Sequence, residues 1–261
     1  MKYVRVFLAF FRVSVYGETA YRINFFVKLF QSLLNLGMTL GGLAIIFTYT
    51  NLLGGWQPDE ILALVGVYFL IRGIIGLIIR PGMEQLIESV RDGTLDFKLT
   101  KPIDSQVIIS LQRMDVFEIQ DFVLGLGVLF FALARLGETI GVLQALEFIL
   151  MIITGGFIIY GFFLILATFS FWFVKVINIL EIFRSMYEAG RWPVSLYPGW
   201  LRYGLTFVIP VAFATTVPVE ALTGRITWQT LLFSVVLAAV LLVVSRIFWK
   251  IGLKQYSGAS A

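Results

Sequence analysis

The sequence predicts an all-α membrane protein with six transmembrane helices, and three observations support this prediction. Of its 261 residues, 59% are hydrophobic and only 14% are charged, whereas soluble domains carry about 25% charged residues. Several apolar runs reach the length of about 20 residues that a helix needs to cross the hydrocarbon core. The stretches between these runs are short, so residues 1–261 are predicted to form a single transmembrane domain.

An amphipathic segment precedes the first predicted span. Within residues 1–22, apolar residues recur near helical spacing among Lys2, Arg5 and Arg12, a pattern typical of a helix that lies in the membrane interface. The alternative is that this segment is the frayed start of the first span. The spans themselves are predicted over residues 24–48, 61–79, 116–134, 143–174, 203–216 and 231–248.

Two of these spans are irregular. The fourth is too long for an upright helix, so it must tilt or project beyond the bilayer. The fifth is short and contains Pro210. The stretch "VPVEALTGRI" between spans five and six is also short, and a small re-entrant turn is expected there.

Positive charge is concentrated on one side of the predicted bundle. If the N-terminus is inside, seventeen Lys and Arg residues fall on that side and only Arg135 and Arg225 on the other. Cytoplasmic loops carry such an excess, so both termini and the polar block at 80–115 are predicted to be cytoplasmic. The same distribution explains the pI of about 9.3 without any binding of nucleic acid, because the charges face anionic lipid and the cytoplasm.

The residues and motifs of common catalytic sites are missing. The sequence contains no cysteine and no histidine, which excludes thiolate nucleophiles, disulfides and His-ligated metals. It has no P-loop, no G-x-S-x-G and no H-E-x-x-H motif. No catalytic residue, metal site or cofactor is therefore predicted in this chain, and energy must come from a gradient or another subunit.

One basic residue is predicted at membrane depth. Arg72 lies about eight residues inside the cytoplasmic end of span two, or roughly 12 Å at 1.5 Å per residue. It could belong to a substrate or proton path, or form a structural ion pair with Asp121 or Glu118 of span three, or snorkel to the interface. The structural interpretation is favoured, and it makes Arg72 and Asp121 the predicted intramembrane charges.

The polar block contains a predicted amphipathic helix. Pro81 suits its first turn and Gly93 its C-terminal cap, while Lys101-Pro102 predicts a rigid bend. One face is apolar at helical spacing, through Met83, Leu86, Ile87 and Val90. The block is either a solvated loop with an interfacial helix or a docking element for a cytoplasmic partner. The docking interpretation is favoured, because the chain has no motor of its own.

Three stretches carry a resemblance to a known family. "RDGTLDFKLTKPIDSQ", "EAGRWPVSLYP" and "TFVIPVAFATTVPVEALTG" resemble the permease subunits of type-2 ABC exporters, particularly six-span bacterial permeases, and the layout agrees over nearly the whole chain. The resemblance implies a protein of the bacterial inner membrane that pairs with a second permease copy or a homologue. It also implies a separate cytoplasmic ABC ATPase, which holds ATP and Mg and docks on a coupling helix in the block.

The resemblance also assigns residues. The family's G-x-L-D-x-x-L-x-x-P pattern implies a role in ATPase coupling for Gly93, Leu95, Asp96, Leu99 and Pro102. The preceding helix, from Met83 to Val90, would be part of the same contact.

Three functions follow as hypotheses. The first is an ATP-driven export permease, whose lining of Phe, Leu and Gly would suit lipid-like or amphipathic cargo, although the 25 phenylalanines equally suit lipid-facing bulk. The second is a membrane scaffold or assembly protein whose polar block binds another partner. The third, an intramembrane enzyme, is disfavoured because no pairing of nucleophile and base stands out.

Overall fold

The protein is described here by a computed structural model that covers residues 2–19, 22–137, 140–173 and 176–256. Within these ranges the structure is helical and has no β-strand, which confirms the predicted all-α polytopic membrane fold. Five helices are long and apolar enough to cross a membrane, and they are Ile23–Tyr49, Pro58–Arg91, Val116–Leu136, Val142–Phe171 and Trp228–Gln255.

The α-helices of the described ranges are numbered in chain order. They are α1 (Lys2–Thr19), α2 (Arg22–Tyr49), α3 (Pro58–Ile74), α4 (Arg80–Arg91), α5 (Asp96–Leu99), α6 (Ser105–Leu111), α7 (Ile119–Leu136), α8 (Val142–Thr168), α9 (Ile177–Tyr187), α10 (Gly199–Tyr203), α11 (Val211–Ala214), α12 (Thr216–Leu222) and α13 (Trp228–Gln255). Two π-helical turns, Ile75–Ile79 and Gly204–Val208, and 3-10 turns at Val116–Glu118, Phe169–Phe171, Glu188–Arg191 and Val194–Leu196 lie between them.

The antiparallel pair of α3 and α7 forms the centre of the bundle. A Cβ atom built on Gly66 would lie 2.7 Å from the backbone nitrogen of Leu129, and one built on Gly125 would lie 2.3 Å from that of Leu70. Glycine therefore lets the two backbones approach closely, as small residues do between helices in lipid. The result is a second span that is buried over most of its circumference.

Substitution of Gly125 by valine should destabilise the protein. The added methyl groups would meet backbone, which cannot move aside as a side chain can, so we expect a loss of roughly 1–3 kcal/mol or more in the free energy of unfolding. Thermal unfolding in detergent measures the change. Gly127→Val is the matched control, because nothing lies within 4 Å of a Cβ at Gly127 on the same helix. Equal stability of the two variants would contradict the close packing of α3 on α7.

The helix predicted to begin at Pro81 is instead a continuation of the second span. In the π turn, Arg80 donates its backbone N–H to the carbonyl of Ile75, five residues back. This wider turn accommodates the missing N–H and the ring clash that proline causes inside a helix. The continuous helix has 34 residues and is roughly 51 Å long at 1.5 Å per residue, which exceeds a hydrocarbon core of about 30 Å. We call α4 the arm.

Helices α8 and α13 lie side by side and run parallel. Gly161 of α8 faces Leu241 of α13, and Gly252 near the end of α13 faces Thr168 and Phe171 at the end of α8. Both helices thus end on the block side, defined as the end of the bundle that carries α4, α5 and α6. Both begin on the hairpin side, the end that carries Trp56. The chain between α8 and α13 must therefore cross the bundle from the block side to the hairpin side.

This return crossing is made by residues 177–196 and not by the predicted span at 203–216. Helix α9 begins beside α4. Farther along, the hydroxyl of Tyr187 donates to the carbonyl of Tyr68 (3.2 Å), and Ser195 Oγ accepts from Trp56 Nε1 (3.1 Å) on the hairpin side. The prediction of one spanning helix over 203–216 is wrong, because the chain becomes extended at Ile209 and bends at Pro210.

Residues 199–222 form a re-entrant segment, which we call the hairpin. Helix α10 and the second π turn lead inward, and α11 and α12 lead back out on the other side of the bend. A Cβ on Gly155 would lie 2.5 Å from the carbonyl oxygen of Phe213, and Gly155 lies about 20 Å along α8. The bend therefore reaches roughly the middle of a core about 30 Å thick, deeper than the small turn expected from the sequence.

Two arginines that the sequence assigns to the positively charged side do not lie on the block side. Arg202 belongs to the hairpin, and Arg191 lies in the interior with its guanidinium 5.6 Å from the centre of the Tyr68 ring. The basic residues of the polar block lie on the block side, as do Lys28 and Arg246, which pair with acidic residues of the block, so positive charge remains concentrated there.

Candidate functional site

The arm ends in a glycine cap. Gly93 has φ +67°, its N–H bonds to the carbonyl of Val90 (3.4 Å), and the N–H of Thr94 bonds to the carbonyl of Ser89 (2.9 Å). This is the Schellman arrangement, in which a left-handed glycine closes the last turn of a helix. The chain is thereby turned back on itself, and Leu95 enters the core with no exposed surface.

Helix α5 is held against the arm by its lysine and presents an aromatic ring to solvent. Lys98 Nζ donates to Ser89 Oγ (2.5 Å), and Ser89 in turn donates to the carbonyl of Gln85 (2.5 Å). Burial in this contact lowers the pKa of Lys98. Phe97, by contrast, is 76% exposed. It lies in an exposed surface that we call the tip, made of Arg91, Asp92, Thr94, Phe97, Thr100 and Lys101.

The residues predicted to couple to an ATPase fall into groups that differ in burial. Four of them are buried in the chain's own core, namely Met83, Leu86, Ile87 and Leu95. Four are half-buried, namely Val90, Gly93, Asp96 and Leu99. The remaining residue, Pro102, is exposed. The exposed ring of Phe97 was not among the predicted residues. Its signal in the sequence is a large apolar residue between the charges of Asp96 and Lys98.

Helix α6 is attached to α13 by an ion pair. Asp104 caps α6 by accepting the N–H groups of Gln106 (3.0 Å) and Val107 (3.4 Å). The Asp104 carboxylate also accepts from both terminal nitrogens of Arg246, one of them at 2.9 Å, and Arg246 donates to Gln106 Oε1 as well (2.8 Å). The Arg246 guanidinium holds the pKa of Asp104 below its usual value, so the pair is charged at neutral pH. We call this pair the clamp.

A second set of hydrogen bonds attaches α6 to α8. Gln106 Nε2 donates to the hydroxyl of Tyr160 (3.1 Å), and that hydroxyl shares a hydrogen bond with Ser110 Oγ (2.8 Å). The block is thus joined to the spans by the continuous helix of α3 and the arm, and it is also joined through α6 to the parallel pair α8 and α13.

A family model described as ABC-2 family transporter protein matches residues 33–260, which include the arm, the tip, the clamp and the hairpin. The chain belongs to this family. It is therefore a multi-pass membrane protein and a permease component of an ABC transporter, a class that works with an ABC ATPase. Comparison with curated proteins and with solved structures gives no match.

The α1 helix of this ABC-2 permease lies outside the matched residues and packs on the block. The hydroxyl of Ser14 accepts from the N–H of Met114 (3.2 Å), and Phe10 lines a groove together with Lys98 and Lys101. Leu8 and Val13 are exposed, as expected for a helix that lies in an interface.

Charged side chains join the first three spans of the permease near the block side. Arg72 Nε lies 3.0 Å from an oxygen of Asp121, the pairing that the sequence suggested. Lys28 Nζ lies 2.5 Å from Asp115 Oδ2 and 3.2 Å from Glu118 Oε1. These contacts link α2, α3 and the start of α7, and Arg72 faces a small cavity closed on its other side by α9.

Separate and combined substitutions at Arg72 and Asp121 test whether this pair is structural. Arg72→Gln leaves the buried Asp121 carboxylate without its partner, and such a change costs about 3–5 kcal/mol. Asp121→Asn should cost less, because the Arg72 side chain that it leaves unpaired is 27% exposed. The double variant Arg72→Met, Asp121→Leu should recover most of the thermal stability in detergent and should retain transport. A double variant that is as stable as the parent but does not transport would instead place the pair on a substrate or proton path.

Proposed function

We propose that this chain is the permease subunit of an ATP-driven exporter and that a cytoplasmic ABC ATPase docks on its tip. The observation that carries this proposal is the exposed ring of Phe97 at the end of a rigid arm. Exposed aromatic residues in a polar rim are typical of protein interfaces. Arg91, Asp92 and Lys101 are exposed residues of the same tip and carry charges of both signs, which suits such a rim.

The connections of the tip support a coupling role. The arm is continuous with the second span through the π turn, so displacement of the tip acts on the block-side end of α3. The clamp and the Tyr160 hydrogen bonds carry the same displacement to α13 and α8. ATP and Mg bind to the partner in this proposal, and closure of the paired ATPase subunits supplies the displacement. The buried residues Met83, Leu86 and Ile87 stiffen the arm and make no contact with the partner.

We place the block side in the cytoplasm and the protein in the inner membrane of a bacterial cell, with both termini cytoplasmic. The bias of Lys and Arg toward the block side supports this orientation. Because the chain has no cysteine, the orientation can be measured with single cysteines. Thr94→Cys should react with an impermeant maleimide only when the inner face is accessible, and Gln229→Cys on the hairpin side should react from outside. The reverse pattern would contradict the orientation and the docking proposal together.

The cargo is proposed to be amphipathic or lipid-like and to move outward beside a second permease copy or a homologous permease. The exposed face of α2 is a suitable contact surface for a helix of the second permease. Gly37 and Gly41 lie on this face, and nothing lies within 4 Å of a Cβ at either position. Small residues four apart let a second helix approach closely in lipid.

Co-purification tests the central proposal. The tagged full chain, expressed in its native host and extracted in mild detergent, should bring down a subunit that hydrolyses ATP. Inside-out vesicles containing the complex should then accumulate a labelled amphiphile only with ATP and Mg. Isolation of a stable, monodisperse chain with another cytoplasmic protein but no ATPase would favour a scaffold over a transporter.

A further inference from the structure

A cleft of about 630 Å³ opens on the hairpin side, between the hairpin and the first turns of α13. Its size falls within the range of small-molecule sites, which are mostly apolar with a few polar groups. The rings of Phe207 and Phe233 lie edge to face, with 6.1 Å between their centres. The aromatic residues that line it come from both sides and are Tyr203, Phe207, Phe213 and Phe233.

Two opposite charges line this cleft and interact electrostatically without forming an ion pair. Arg202 belongs to the last turn of α10 and Glu220 to the last turn of α12. In the part of the chain that the structure describes, no ion pair joins them. The nearby Arg225 is already engaged, with its NH2 group 2.6 and 2.7 Å from the two oxygens of Glu60. The cleft therefore presents one available cation and one available anion beside apolar walls.

These charges select against ligands that carry a single charge. A lone cation near Glu220 would be repelled by Arg202, and a lone anion near Arg202 would be repelled by Glu220. A molecule with both charges satisfies both side chains at once.

We propose that the cleft binds a zwitterionic amphiphile, with its ammonium group at Glu220, its acidic group at Arg202 and its hydrocarbon part along the aromatic walls. The inference rests on the proposed export function and specifies the class of its cargo. The position of the cleft at the hairpin side makes it a site that cargo occupies late in the transport path.

Protection of a single cysteine tests this site. Thr206→Cys places one thiol in the cleft of a chain that has no other. The permease alone, in nanodiscs of phosphatidylglycerol, is labelled with a soluble maleimide in the presence of one of four probes. Lysophosphatidylethanolamine should slow the labelling. Dodecylamine, dodecyl phosphate and glycerophosphoethanolamine should need at least about ten times its concentration, since a hydrogen bond to a charged group contributes roughly 1.5–3 kcal/mol and 1.4 kcal/mol is a factor of ten.

Charge variants in the same background complete the test. Glu220→Gln and Arg202→Gln should each weaken the protection about tenfold, whereas Glu147→Gln should leave it unchanged, because Glu147 lies outside the cleft. Equal protection by one of the singly charged probes or by the headgroup alone would overturn the proposal. So would the absence of protection, or a thiol already shielded by a second copy. Since no ATPase is present, these outcomes are independent of docking on the tip.

Discussion

Substitution of Phe97 by alanine is expected to remove the ATPase from the purified complex. Burial of a phenylalanine side chain contributes about 1.5–3 kcal/mol, so its loss should weaken association by roughly ten- to a hundredfold. Because the ring is 76% exposed, the fold should not depend on it, and the melting temperature of the isolated permease should stay the same. Titration of the purified ATPase onto the immobilised permease measures the change.

Phe130→Ala is the matched control for this experiment. Phe130 is also well exposed, at 66%, but it lies on α7 within a span. Its loss should change neither the melting temperature nor ATPase binding. If Phe97→Ala bound the ATPase as tightly as the parent, the tip would not be the docking surface, and the proposed route from the partner to the spans would fail at its first step.

Substitution of Arg246 by glutamine is expected to separate ATPase binding from transport. The tip is unchanged, so the ATPase should still co-purify. However, α6 loses its attachment to α13, and we expect stimulation of ATP hydrolysis by cargo and ATP-dependent uptake into inside-out vesicles to fall several-fold. Asp104→Asn should have the same effect, and the double variant should be no worse than either single one, because the two residues form one interaction.

Lys250→Gln is the matched control, since Lys250 is an exposed basic residue one turn farther along α13. It should leave uptake unchanged. Normal uptake by Arg246→Gln would contradict the role of the clamp. Joint loss of ATPase binding and thermal stability would show that the clamp maintains the fold of the block and does not transmit its motion.

The hydrophobic pattern of the sequence predicted the spans that pack against lipid or against regular helices. It failed at the segment around Pro210 and at α9. The apolar run through Pro210 resembles a span, although its proline bends the chain into a hairpin. Helix α9 carries Arg184, and Glu188 follows it directly, so this region did not resemble a span. Their charges are tolerated because this helix lines the polar cavity next to Arg72, and intramembrane charges are found at such interior sites.

The sequence predicted the polar block and its apolar stripe, but it did not indicate which residues of the block are exposed. The apolar stripe of Met83, Leu86 and Ile87 was recognised correctly, but periodicity does not indicate whether a stripe packs on its own chain or on a partner. A single exposed ring such as Phe97 has no periodic signal. The clamp joins residues 142 positions apart, so no local pattern indicates it.

In the proposed docking mechanism, the π turn above the arm would be the fulcrum of the motion. From this turn to Arg91 the arm is about 18 Å long, so a sideways push of roughly 3 Å at the tip corresponds to a rotation of about 10° at the turn. Arg80 NH2 and Glu118 Oε1 are 3.7 Å apart at this point, close to the limit of an ion pair. If the ATPase docks on the tip as proposed, a small displacement there becomes a rotation next to this charge contact, and that rotation would open or close the contact.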